Sequence, residues 1–134
     1  MSAPDSTSRM IARWLLIAFY GIAGIGHLLA TDAMVKITPA WVPFPHEVVI
    51  ATGLCEIAGA IGLVTKQWRR TAGWAFASYA VCVYPANVNH AIHDLGTGTG
   101  LSIWYHVSGL LLQPVIVWWA LWATRIVDWP FCKR

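Results

Sequence analysis

The chain has 134 residues, 57% of them hydrophobic and only 11% charged, where soluble domains carry about a quarter charged residues. One domain of this length has too little interior to hide so much apolar surface, which excludes an ordinary soluble fold and makes the lipid bilayer the expected partner. The net charge of +3 is spread between apolar runs rather than gathered on one polar face, which argues against nucleic acid.

Met1 to Ser8 is short and polar and reads as disordered. Arg9 and Arg13 then precede an apolar run of 17 residues, Trp14 to Ala30. That exceeds a usual signal-peptide core, and no small-x-small cleavage site closes it. It reads as a transmembrane helix over 11–30, with Gly21, Gly24 and Gly26 permitting close helix approach. Thr31 to His46 holds Pro39, Pro43 and Pro45 beside Ile37, Trp41, Val42 and Phe44. Proline opposes a regular helix, so an amphipathic, Pro-rich external loop lying in the interface is expected here.

The second span, 47–65, is apolar except for Glu56 and is closed by Lys66, Arg69 and Arg70. The third, 71–93, contains Pro85, which should kink it or loosen a hydrogen bond. Gly96 to Gly100 is a turn, 101–124 is the fourth span, and the tail Arg125 to Arg134 is basic and aromatic. Each run matches the roughly 20 residues that cross about 30 Å of hydrocarbon. The expected fold class is all-α: one domain over 1–134, an integral membrane antiparallel four-helix bundle. Four crossings leave Arg9, Arg13, Lys66, Arg69, Arg70, Arg125, Lys133 and Arg134 on the side of the termini and Lys36 opposite. Positive residues stay inside, so both termini are expected in the cytoplasm.

This topology gathers polar groups in the outer half. His27 ends the first span, His46 lies in the loop, His90 and His93 end the third, and His106 opens the fourth. Asn87, His90 and Asp94 share a helix face, with His93 adjacent to it. Glu56 lies roughly 13 Å below Glu47 along the helix, near the midplane. Gln113 is also deep. A carboxyl at that depth costs several kcal/mol unless it faces the helix interior.

Glu56 and His90 are therefore the expected proton-exchanging and hydrogen-bonding groups, with His27, Asn87, His93, His106 and Gln113 as ligand-binding neighbours. Glu56, His27, Asn87, His90 and His106 should line one cavity opening outward. The same groups also suit two other roles. They are ordinary interhelical glue in a structural or assembly subunit. They also suit a metal or haem site, with His90, His93 and His106 as candidate ligands. Cys55, Cys82 and Cys132 form no CxxC pair and no ligand spacing, and read as buried spectator thiols. The Gly/Thr turn is not a phosphate loop, because no GK[ST] follows.

The order of motifs resembles the DoxX-like family of small four-helix bacterial membrane proteins. The resembling pieces are Ala23 to His27, Ile37 to Pro45, Gly53 to Leu63, Arg69 to Trp74, Pro85 to Asn89, and Gln113 before a Trp-rich run. The match spans about residues 20 to 120. The family's Arg-Leu-Pro-Leu-Gln stretch corresponds to Gly109 to Gln113, without the arginine. The resemblance implies a bacterial inner-membrane location and a redox association. It implies a quinone or similar apolar ligand, and an oxidoreductase subunit rather than a complete enzyme, since no electron carrier is visible in the chain. A partner redox subunit or bound cofactor is then required.

Overall fold

A computed structural model describes residues 5–131. Their regular elements are five helices: α1 (Thr7–Leu29), α2 (Thr31–Ile37), α3 (Pro45–Val64), α4 (Arg69–Thr97) and α5 (Ile103–Ala123). The chain is all-α, as its periodicity requires. Local chemistry sets the ends. The Ser6 side chain accepts from the Arg9 N–H and starts α1, and Ser102 accepts from the Tyr105 N–H and starts α5. These are N-caps that satisfy amides no helix turn can reach. Pro45 opens α3, where its missing N–H costs nothing. Gly98, at φ 67°, closes α4 in the left-handed region.

Helices α1, α3 and α5 are each long and apolar enough to cross a membrane, and only 22%, 28% and 28% of their apolar stretches are buried. Helix α4 is the longest at 29 residues, but Asn87, Asn89, His90, His93 and Asp94 make its last third polar. Short linkers, 65–68 and 98–102, turn α3 into α4 and α4 into α5. Helix α1 packs on α3 and α5, α4 packs on α5 and α3, and α2 lies against α3. The core joins Leu16 and Tyr20 to Leu63, Phe76, Ile116 and a set of alanines. Tyr20 stacks on Phe76 with ring centroids 3.8 Å apart. Alanine on α4 and α5 lets these helices approach closely.

Three expectations change. Thr7 and Ser8 are helical and Asp5 is held by arginines, so the order begins before Arg9. The connector is partly helical, because its prolines start only at Pro39 and leave Thr31–Ile37 free to coil into α2. Cys55 and Cys82 are exposed rather than buried, and Cys82 lines the same cavity as Glu56. Met1 to Pro4, and Cys132, Lys133 and Arg134, lie outside the described residues.

Candidate functional site

The site begins where α1 crosses α3. Gly24 and Gly53 face each other so closely that a Cβ on Gly24 would sit 2.7 Å from the Gly53 carbonyl oxygen. A Cβ on Gly53 would sit 2.9 Å from that of Gly24. No side chain fits between these backbones. Three residues further along each helix stand His27 and Glu56, and the crossing brings them together. His27 Nδ1 lies 3.0 Å from Glu56 Oε2. The same nitrogen lies 2.9 Å from the Ala23 carbonyl.

One ring nitrogen has one proton to give. When Nδ1–H donates to Ala23, Glu56 Oε2 receives nothing, and this buried oxygen is left without a hydrogen-bond partner. The short distance alone would suggest a made ion pair, but the competing carbonyl argues for electrostatic proximity instead. Glu56 is only 3% exposed, and the Tyr79 hydroxyl of α4 lies beside its carboxyl. An under-satisfied buried carboxyl is costly.

Glu56 lines a cavity of about 550 Å³. Its walls are largely apolar and aromatic, including Phe19, Tyr20, Trp41, Val83 and Ile116. His27, Asn87, His90 and Gln113 enter the same space. Residues from α2 and the following loop, among them Met34 and Pro39, close one side. The size and the sparse polar groups suit an apolar ligand with one or two oxygens.

Two anticipated residues are not in that wall. His106 is buried behind it, with its ring edge-on to those of His90 and Tyr105. His93 is exposed and joins no cluster. The reason is angular. At about 100° per residue, position 94 falls nearer the inward direction of His90 than position 93 does, once α5 lies on that side. The expected His90–His93 pairing is thus replaced by His90 with Asp94.

Asp94 is the group missed as a site residue, although its i, i+4 spacing from His90 was legible. Its Oδ2 lies 3.2 Å from His90 Nε2 and 3.0 Å from His106 Nε2. The Leu101 N–H donates to the same oxygen at 2.9 Å. Gly100, at φ 102°, folds over the carboxyl so tightly that a Cβ there would meet Asp94 Oδ1 at 2.5 Å. Asp94 lies past the apolar run of α4. The Leu101 N–H outweighs the opposing effect of burial, and with the two imidazoles holds this carboxyl below the usual carboxylate range.

The opposite end of the molecule is basic and tied together. Asp5 receives Arg13 at 2.9 Å, Arg69 at 3.3 Å and Arg125 at 3.5 Å. Arg9 pairs with Asp128 and lies over the Trp122 ring, 5.1 Å from its centroid. Arg70 donates to the Arg125 carbonyl at 2.6 Å. Nothing local in the sequence signals Asp5 as a hub, because its partners lie up to 120 residues away.

No characterised protein and no solved structure matches the chain. A family model described as a domain of unknown function, DUF8561, matches residues 16–124. That range contains the crossing glycines, Glu56 and the whole His90–Asp94–His106 cluster, and leaves out Asp5, Arg9 and Arg13. The chain therefore belongs to the DUF8561 family.

Proposed function

We propose that this protein spans a bacterial inner membrane four times, both termini cytoplasmic, and binds a quinone or similar apolar ligand in the cavity beneath α2. Helix α4 supplies the crossing that composition leaves open. It is about 43 Å long and packs along α3 and α5, so it shares whatever medium they occupy. The basic end around Asp5 becomes the cytoplasmic face, by the preference of Arg and Lys for that side.

The observation that carries the ligand reading is the unpartnered Glu56 Oε2 in an apolar wall. A ligand hydroxyl would donate to it. A ligand carbonyl would instead accept from the protonated acid, from His90 or from Asn87. Reducing a quinone to a quinol takes two electrons and two protons. Glu56 and its histidine neighbour offer a proton route. The electrons must come from a partner redox subunit or a bound cofactor. The redox association itself rests on the resemblance to the DoxX-like family in motif order.

The test is lipid extraction and mass spectrometry of protein purified in mild detergent. A quinone or related apolar compound should co-purify in near-stoichiometric amount. Glu56→Gln should lower its retention about tenfold or more, the effect of one lost charge-assisted hydrogen bond. The reading fails if no such compound co-purifies and added quinone leaves the melting temperature unchanged. Full retention by folded Glu56→Gln would remove Glu56 from the site. A host pathway indifferent to both Glu56→Gln and His90→Ala would favour a purely structural subunit.

A further inference from the structure

Asp94 Oδ2 is surrounded by three nitrogens: those of Leu101, His106 and His90, at 2.9, 3.0 and 3.2 Å. A carboxylate oxygen has about two lone-pair sites. Three donors on one oxygen exceed that number, so a hydrogen-bond network alone leaves one imidazole poorly served. The imidazole nitrogens and a carboxylate oxygen all lie within 4.8 Å of one another. A zinc-sized ion sits about 2.0–2.2 Å from such ligands, which places ligand atoms about 3.0–3.4 Å apart at tetrahedral or octahedral angles. The observed 3.0 and 3.2 Å separations fall in that range.

Burial points the same way. The side chains of His106, Asp94 and His90 are 4%, 9% and 14% exposed, too sheltered for a solvated surface cluster. The carboxyl is also held by the Leu101 amide, which donates to the same Oδ2, and by the close pass of Gly100, as outer-shell groups hold metal ligands. The three side chains come from both helices flanking the 98–102 turn, so the turn geometry presets the donor set before any ion arrives.

We propose that His90, Asp94 and His106 form a binding site for one first-row divalent cation, of the zinc or iron(II) class that accepts two imidazoles and a carboxylate. Three protein ligands leave at least one coordination position for water or an exogenous oxygen. His90 also lines the large cavity, so the ion stands at that cavity's rim. The site does not depend on what fills the cavity. A metal-binding result and a quinone-binding result are separately readable.

The experiment uses the full chain in mild detergent, stripped with a chelator and titrated with Co2+ and then Zn2+. Wild type should take up one Co2+ with visible d–d absorption, surrender it to Zn2+, and melt at higher temperature with Zn2+ bound. Asp94→Asn and His106→Ala should each weaken binding more than about 100-fold, beyond the 10–100-fold typical of an outer-shell change. Gly100→Ala, which disturbs only the support, should fall within that smaller range. His93→Ala should bind as wild type. Pulsed EPR of the Cu2+-loaded wild type should show two coupled imidazoles, a readout that needs no variant to fold. The proposal is overturned if stripped wild type takes up no metal or if the EPR shows fewer than two imidazoles. It is equally overturned if folded Asp94→Asn binds as tightly as wild type, or if His93→Ala loses as much as His106→Ala.

Discussion

At the scale of single residues, the molecule depends on who satisfies Glu56. Its depth could be counted along the helix, so its need for an interior partner was readable from sequence. The groups beside it, His27 and Tyr79, come from two other helices, and Tyr79 carried no signal as an ordinary aromatic in an apolar run. Tyr79→Phe removes the hydroxyl beside a nearly buried carboxyl. It should destabilise the protein by about 1–3 kcal/mol, measured as a lower melting temperature in detergent, and should also reduce ligand retention. Glu56→Gln keeps the shape of the side chain, so its melting temperature should change much less. Equal losses for the two would mean that the carboxyl serves stability alone. His93 and Asp94 show the limit of counting residues: both were near the right face, and a neighbouring helix chose between them.

At the scale of helices, the crossing of α1 and α3 does the most. Gly24 and Gly53 permit a contact no larger residue allows, and His27 meets Glu56 as a consequence. Gly53→Ala forces a Cβ against the Gly24 carbonyl and His27 Cβ, each at 2.9 Å. It should cost about 1–3 kcal/mol as overpacking and should widen the His27–Glu56 gap. Gly21 makes the control, since a Cβ there meets nothing within 4 Å. Gly21→Ala should be neutral or stabilise by up to about 1 kcal/mol through helix propensity. Thermal melts of both variants check the pair, and a Gly21→Ala loss as large as that of Gly53→Ala would refute the close-crossing argument. The glycines were visible in the sequence as permissive positions, but their pairing was not, because helical spacing says nothing about which helix lies opposite.

At the scale of the whole molecule, charge and apolar surface are separated. Isoleucine, leucine and tryptophan cover the outside of the long helices, Ile22 being 72% exposed. The described arginines collect at one end around Asp5 and Asp128. Asp5→Asn leaves Arg13, 6% exposed, facing two other arginines without their shared anion. It should lower stability by about 1–3 kcal/mol, less than a fully buried pair and more than a surface one. An unchanged melting temperature would make that hub incidental. Topology is tested by single cysteines at Ser6 and His46 in a chain with Cys55, Cys82 and Cys132 replaced. In intact cells an impermeant thiol reagent should label position 46 and spare position 6, and the reverse pattern would invert the proposed orientation.

Composition and spacing were enough for the helical class and for the limits of the four long helices to within a few residues, though not for α2. Those properties follow from local backbone preference and from the cost of exposing apolar surface to water, both of which are written along the chain. Contacts between distant residues are not local quantities. Gly24 against Gly53, Tyr79 beside Glu56, Asp94 between His90 and His106, and Asp5 among its arginines all depend on helix packing, where a rotation of one residue exchanges the buried face for the exposed one. That rotation is set by close packing of the interior, so the donors and acceptors of the candidate sites became assignable only once the helices were seen together.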